Sequence, residues 1–179
     1  MTTVERLSDI LSKVNEWLKF AEAKNSAIIV FNSALSFGIL QVLSPLDKKP
    51  IAVLVYISLV IILLTISSIV ALLSFVARFN PPWVRIQQPN SKSDNLLYFG
   101  HICKYTPDTY LQAMRNKLVK SNEYDELEKE YADQIVVNSK IAFIKFQQFN
   151  IAVWFTISAI LTPLGAFIIA QVKSHAESK

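Results

Sequence analysis

The chain has 179 residues, of which 52% are hydrophobic and 18% charged, and its mean hydropathy is +0.34 with a net charge of +4. This composition is too apolar for an ordinary soluble domain, and the chain is too short for a large transporter, so we expect a small multi-span membrane protein. The single cysteine excludes an intramolecular disulfide framework and a multi-cysteine metal site.

The first predicted element is a helix whose charged amphipathic part, residues 1–24, passes without a break into an apolar part, residues 25–46. Thr2 and Glu5 have the spacing of a capping box at its start. Residues 25–46 contain no charged side chain, and a helix needs about 20 residues to cross a bilayer core. We therefore expect an N-terminal amphipathic helix that continues as transmembrane helix 1.

A heptad-like seam follows this helix at alternating spacings of three and four residues. Its polar stripe is formed by Asn25, Asn32 and Ser36, which lie within about 40° of one another around the helix axis. An unpartnered polar side chain in hydrocarbon is costly, so this stripe should meet another helix or water. Two alternatives stay open: packing against the chain's own second span, or a self-association or pore-lining face. The apolar seam runs through Val4, Leu7, Leu11, Val14, Leu18, Ala21, Ile28 and Leu35.

Transmembrane helix 2 is predicted at residues 51–77, which contain no charged side chain, after a short loop at 44–50. Ser58 and Thr65 lie seven residues apart in this span. Each hydroxyl is able to bond across to span one or to a carbonyl of its own helix, and we expect the second.

Residues 78–148 have the composition of a water-soluble segment. Residues 83–87 and 95–99, separated by a turn-rich stretch, are expected to pair as a short β-hairpin or to lie extended. Thr106, Pro107 and Asp108 provide a capping residue, a proline at the first helical position and an acid in the first turn. A helix should therefore run from there to about residue 120.

A last helix is expected after residues 121–122, with acids in its first turns, and no breaker separates it from the uncharged residues 146–172. Residues 149–171 are predicted as transmembrane helix 3, followed by a tail at 172–179. The alternative is a half-inserted or protein-covered helix at 149–171.

The lysines and arginines are distributed unevenly: four precede span one, two lie in the first loop, ten lie between spans two and three, and two lie in the tail. By the positive-inside rule, the N-terminus and the 78–148 region are cytoplasmic, and the first loop and the tail lie outside. The predicted fold is an all-α membrane protein with about three transmembrane helices and a small, mostly helical cytoplasmic region. The same rule accounts for the basic charge without a nucleic-acid partner.

The sequence contains no catalytic constellation. It has no P-loop, no GxGxxG and no HExxH motif. His101 and Asp108 resemble a base and its orienting acid, but no nucleophile accompanies them. We expect no enzyme activity, no metal site and no cofactor.

Charge and aromatic content instead suggest a ligand-binding region. Residues 78–120 carry seven basic and two acidic side chains together with several aromatic rings, whereas residues 121–148 carry three basic and six acidic side chains. Rings that stack on a base and a cation that pairs with a phosphate suit a small nucleotide. The alternative is an interfacial aromatic belt with topological charges. The candidate ligand-binding residues are Arg85, Asn95, Tyr98, Phe99, His101, Lys104 and Tyr105.

Three stretches carry a family resemblance: WLKFAEAKNSAIIVFNSAL at 17–35, NLLYFGHICKYTPDTYLQAM at 95–114, and the helical ADQIVVNSKI at 132–141. In order and spacing they resemble the transmembrane effector proteins of the Pycsar family. The resemblance covers nearly the whole chain, and the YFGH element is its most specific part.

This resemblance implies a bacterial anti-phage effector in the inner membrane. A partner cyclase would make a cyclic pyrimidine mononucleotide, cCMP or cUMP, which the cytoplasmic part would sense. Membrane integrity would then be impaired, with homo-oligomers forming on activation, and infection would abort. The alternative is a constitutive small membrane adaptor or a holin-like pore former without nucleotide input.

Overall fold

The described part of the chain is helical throughout its regular structure. A computed structural model describes residues 2–44, 51–76, 81–90, 93–118 and 124–177, and side chains other than that of Ala52 are described as far as Thr162. Over these ranges there are five helices and no strand, so the predicted all-α class is confirmed. The helices are α1 (Thr3–Leu43), α2 (Ile51–Leu73), α3 (Phe99–Ile102), α4 (Pro107–Leu118) and α5 (Glu126–Glu177).

Polar side chains fix the helix starts. At α1 the Glu5 N–H donates to Thr2 Oγ1 over 3.2 Å, and the Thr2 N–H donates to Glu5 Oε2 over 2.8 Å, which confirms the capping box. The same reciprocal pair opens α5, where Asp125 and Glu128 exchange bonds of 2.7 and 3.1 Å. Helix α4 begins at Pro107 as predicted. Its predicted end near residue 120 and the break at 121–122 lie outside the described residues.

Of the two alternatives for residues 83–87 and 95–99, a short β-hairpin or an extended path, the β-hairpin is not confirmed. Residues 84–90 have no regular structure, and the segment that was to pair with them forms a turn that leads into α3. Local hydrogen bonds explain the difference, because Asn95 Oδ1 accepts the Leu97 N–H and the Tyr98 carbonyl accepts the N–H groups of His101 and Ile102. Backbone groups satisfied within a turn are not available to a neighbouring strand.

Two compact units divide the chain. Unit 1 comprises Met1–Ala23 and Ala77–Gln147, and unit 2 comprises Lys24–Val76 and Gln148–Lys179, so α1 and α5 contribute to both. The core of unit 1 is a single apolar cluster that draws on α1, α3, α4 and α5. Its members include Leu7, Ile10, Val14, Leu96, Phe99, Ile102, Tyr105, Tyr110, Leu111, Ala132, Ile135 and Val136.

The described side chains of unit 2 form a small buried cluster and a large apolar surface. Its buried cluster is Val60, Leu64 and Ala159, with Leu35 and Ile39 packed against it. Two helices of the described chain, Thr3–Leu43 and Val53–Leu73, are long and apolar enough to cross a membrane, and only 6% and 17% of their apolar windows are buried. The core helices of a soluble domain would be covered, so these exposed apolar surfaces suit lipid and support a transmembrane character.

The third span stays a prediction. Helix α5 continues through residues 149–171 without interruption, which fits a full span and the half-inserted alternative equally well. Residues 45–50 of the first loop, residues 77–80 at the end of span two and residues 178–179 of the tail lie outside the described part of the chain.

Candidate functional site

Asp94 organises the segment that holds most of the predicted ligand residues. Its side chain is 3% exposed, and it accepts hydrogen bonds from Lys104 Nζ at 2.7 Å, from Tyr105 Oη at 3.1 Å and from the Asn90 N–H at 2.7 Å. Lys117 Nζ adds a 2.6 Å bond to the Asp94 carbonyl. Lys104 and Tyr105 are therefore committed to Asp94 within the protein.

The protonation of this cluster follows from those contacts. Burial by itself would raise the pKa of Asp94, but the hydrogen bonds from Lys104, the Asn90 N–H and Tyr105, together with the Lys104 charge, outweigh it and lower that pKa. Burial, with the hydrogen bond to Asp94 and its charge, raises the pKa of Tyr105 to about 12. Asp94 is thus an anion and Tyr105 a neutral donor at neutral pH.

Three other predicted residues share one edge of this segment. The Asn95 N–H donates to His101 Nδ1 over 2.8 Å, and the Tyr98 ring meets the His101 ring edge-on at 5.4 Å between centroids. Asn95 and Tyr98 are exposed, and His101 is half-buried. This edge is accessible.

Phe99 and Arg85 occupy different surroundings from those three. Phe99 is 5% exposed, stacks on Phe146 with 5.1 Å between ring centroids, and lies 5.5 Å from Trp17. It is a core residue of unit 1. Arg85 is exposed in the irregular segment 84–90. The structure therefore does not gather the seven predicted residues around one cavity.

Unit 1 does contain a cavity of about 420 Å³ where α4 meets the beginning of α5. We call it the α4–α5 cavity. Its volume lies within the range of small-molecule sites. Two cations, an acid, an amide, an aromatic ring and a leucine line it: Asp108, Leu111, Gln112, Arg115, Tyr124 and Lys129.

Arg115 and Tyr124 form the polar centre of this cavity. The guanidinium carbon of Arg115 lies 5.3 Å from the centroid of the Tyr124 ring. Arg115 Nε and Tyr124 Oη are both buried, and neither has a hydrogen-bond partner among the described residues. Burial raises the pKa of Tyr124, the Arg115 charge opposes this rise, and the Glu128 charge reinforces it, so the phenol keeps its proton at neutral pH.

A second cavity of about 420 Å³ in unit 1 lies between α1, α4 and residues 95–97. We call it the α1–α4 cavity. Among the predicted ligand residues only Asn95 lines it. Its polar groups are partly engaged already, since Lys117 bonds the Asp94 carbonyl and Asn95 bonds His101 and Leu97. The remaining lining is Arg6, Asp9, Ile10, Lys13, Leu96, Met114 and Leu118.

The polar stripe of α1 enters a hydrogen-bonded cluster in unit 2. Asn32 Nδ2 donates to Ser67 Oγ over 2.8 Å, and Thr156 Oγ1 donates to Asn32 Oδ1 over 2.8 Å. Asn25 is also fully buried, whereas Ser36 is half-buried. Of the two alternatives for the stripe, the structure shows Asn32 packed against the chain's own second span and α5.

Sequence reasoning missed several of these residues. Asp94 and Arg115 were counted only in the net charge of their segment, and Tyr124 was not considered. In span two, Ser58 and Thr65 were considered but Ser67 was not. Thr65 bonds the Ile61 carbonyl of its own helix, as predicted. One available signal was that Asp94 is one of two acids in a strongly basic segment. In the described ranges, no three metal-ligating side chains come together.

Comparison with known proteins gives one consistent result. The family model described as "Pycsar effector protein domain", PycTM, matches residues 6–171. The Pycsar effector protein RsPycTM of a Rhizobium species is 30% identical over 161 residues, which is 84% of this chain and 88% of the relative. The Pycsar effector protein PtPycTM of Propioniciclava tarda is 22% identical over 149 residues, 82% of this chain and 69% of the relative. No solved structure matches.

Proposed function

Because the chain belongs to the PycTM family of Pycsar effector proteins, we propose that it is a multi-pass inner-membrane effector that binds cCMP or cUMP and then impairs membrane integrity, which aborts phage infection. Its partners are the lipid bilayer and the cyclase that supplies the nucleotide. It acts without catalysis, and its activated form is a homo-oligomer.

The observation that carries this proposal is the division of labour between the units. Unit 1 is a compact domain with cavities that have the size of a nucleotide site and are lined by cations. Unit 2 presents apolar helices whose surfaces suit lipid. A ligand domain and a membrane domain in one chain are the two parts that a nucleotide-gated membrane effector requires.

We propose a population shift as the mechanism. A nucleotide moves an equilibrium between two arrangements only by its differential affinity for them. Helices α1 and α5 contribute to both units, so a change in their packing within unit 1 is able to bias unit 2. The seam that runs from Val4 to Ser36 includes Asn25 and Asn32, which are buried within the chain in this arrangement. In the active arrangement the seam exchanges these internal contacts for contacts between subunits.

The test is ligand-dependent leakage from liposomes that contain the full-length chain. We expect release of an entrapped dye on addition of cCMP or cUMP but not of cAMP, with binding of the same pyrimidine nucleotide measured by equilibrium dialysis. Leakage without any nucleotide, combined with no binding, would contradict the proposal and favour a constitutive pore former. A silent protein that binds no nucleotide would favour an adaptor.

A second experiment addresses the seam. Replacing Asn25 and Asn32 together with leucine should abolish leakage and leave nucleotide binding intact, because both side chains lie in unit 2. Full leakage from this double variant would exclude the seam as the working surface. The matched control is Ser33→Ala, since Ser33 is exposed and its hydroxyl bonds along its own helix, to the Ile29 carbonyl at 2.8 Å.

A further inference from the structure

The α4–α5 cavity differs from the α1–α4 cavity in the state of its polar groups. In the α1–α4 cavity, Lys117 and Asn95 already have partners within the protein. At the α4–α5 cavity, Arg115 Nε and Tyr124 Oη are buried and have no hydrogen-bond partner in the part of the chain that the structure describes. Buried polar groups are nearly always satisfied, so unsatisfied polar atoms on two side chains that line the same cavity indicate a place for a ligand with matching groups.

We infer that the α4–α5 cavity is the nucleotide site, with Arg115 and Lys129 binding the cyclic phosphate and Tyr124 lying beside the pyrimidine ring. This inference rests on the proposed function and assigns its ligand site. It replaces the 85–105 segment as the centre of recognition and leaves Phe99, Lys104 and Tyr105 with structural roles.

The chemistry of the lining matches the parts of such a ligand. Arg115 offers planar donors to phosphate oxygens, and a guanidinium binds phosphate more strongly than a neutral donor does. Lys129, about half exposed at 52%, faces the same cavity, and its contact with Glu126 at 3.5 Å is solvent-accessible and weak. Two basic residues against Asp108 leave the lining net positive, which suits a monoanion.

The uncharged parts of the nucleotide also find partners. The Tyr124 ring provides a face for a planar base, and its protonated hydroxyl is a donor. The Gln112 side chain both donates and accepts, as the edge of cytosine or of uracil requires. The Asp108 carboxylate is able to accept a hydrogen bond from the ribose hydroxyl. Leu111 completes the apolar part of the wall.

The experiment measures binding of radiolabelled cCMP and cUMP, each alone, to the full-length chain in nanodiscs. Arg115→Gln should weaken binding of the cognate nucleotide by about tenfold or more, because it removes a charge-assisted hydrogen bond to phosphate. Lys129→Gln should weaken it less, by about threefold, because this ammonium is partly in water. Lys19→Gln is the matched control for charge, since Lys19 is exposed on α1 and lines neither cavity, and it should bind as the parent does.

Two substitutions of Tyr124 distinguish the contribution of its ring from that of its hydroxyl. Tyr124→Phe keeps the ring and should lose only a few-fold in affinity, whereas Tyr124→Ala should lose about tenfold. Lys129→Gln also serves as a variant that is expected to fold, because a half-exposed lysine contributes little to the core. A loss of binding in this variant is therefore not explained by misfolding. Circular dichroism of each variant confirms that the helices remain.

The outcomes distinguish this inference from the proposed function. If the unmodified chain binds neither nucleotide, both fail. If it binds one, and Arg115→Gln and Lys129→Gln bind it unchanged while Arg6→Gln loses affinity, the function stands and the site is the α1–α4 cavity. Loss in Arg115→Gln and Lys129→Gln with no loss in Arg6→Gln supports the inference.

Discussion

Asn32 and Ser67 are 35 residues apart in sequence, yet they share a 2.8 Å hydrogen bond at a point where each side chain is at most 1% exposed. Ser67 donates to the Ala152 carbonyl over 2.7 Å, and the Thr156 hydroxyl donates to Asn32 Oδ1. Hydrogen bonds between buried side chains thereby connect three helices of unit 2. Such a cluster specifies packing in a membrane, where apolar contacts alone discriminate poorly.

Removal of one hydroxyl tests this cluster. Thr156→Val keeps the side-chain shape and leaves Asn32 Oδ1 without the Thr156 donor, so we expect a loss of about 1 kcal/mol in the free energy of unfolding. The measurement is thermal or detergent-induced unfolding of the full-length chain. Ser33→Ala, at the exposed serine of α1, should unfold like the parent. Equal stability of the Thr156 variant and the parent would show that the cluster contributes nothing.

Acid should weaken unit 1 through Asp94. A carboxyl whose folded-state pKa lies below its unfolded value stabilises the fold above the unfolded pKa and loses that contribution as the pH falls through the folded pKa. Stability should therefore decline below about pH 4, the range of an unperturbed aspartate. Unfolding followed as a function of pH measures this decline.

The Asp94→Asn variant is the companion to that titration. It leaves the Lys104 ammonium, 12% exposed, without its anion, and breaking a buried pair costs about 3 kcal/mol. The part of the acid dependence that belongs to Asp94 should also disappear. Asp133→Asn, at an exposed position on α5, should leave the stability at neutral pH unchanged. An Asp94→Asn variant as stable as the parent would contradict the role given to this carboxylate.

Particular residues show what the sequence was able to predict. The capping box of Thr2 and Glu5 and the start of α4 at Pro107 depend on neighbours three residues apart or fewer, and both were predicted. Apolar periodicity likewise indicated the buried positions Leu7 and Val14. Contacts of this kind are local, so a single sequence contains them.

The features that were not predicted depend on distant partners. Asp94 meets Lys117 across 23 positions, and Ser67 meets Thr156 across 89. The irregular segment before α3 has no sequence periodicity that indicates how its backbone turns. The sequence therefore predicted a short β-hairpin or an extended path there. Aromatic residues near charge suit a ligand site and a core equally well, and only packing against Trp17 and Phe146 assigns Phe99 to the core.

Phe99 and Tyr98 provide a direct comparison of those two roles. Phe99→Ala should destabilise unit 1 by about 3–5 kcal/mol, because it removes a buried ring and leaves a cavity. Tyr98 is 43% exposed, so Tyr98→Ala should change the unfolding free energy by less than about 1 kcal/mol. Unfolding of both variants should be compared with their nucleotide affinity at a temperature where each is folded. A folded Tyr98→Ala variant that loses binding would indicate that the nucleotide binds at the edge formed by Asn95, Tyr98 and His101.

Cysteine labelling tests whether α5 crosses the bilayer beyond residue 148. The only cysteine, Cys103, is 1% exposed, and its thiol donates to the Gly100 carbonyl over 3.3 Å. A serine hydroxyl is able to make the same bond, so a Cys103→Ser background removes residual reactivity. In that background, Ser174→Cys should react with a membrane-impermeant maleimide in intact spheroplasts if residues 149–171 span the bilayer. Lys48→Cys, in the predicted first loop, should react as well, because the charge distribution predicts that both segments lie outside. Asn116→Cys, at an exposed position on α4, should react only after permeabilisation. Protection of Ser174→Cys until permeabilisation, with Lys48→Cys labelled from outside, would instead support two spans and a half-inserted α5.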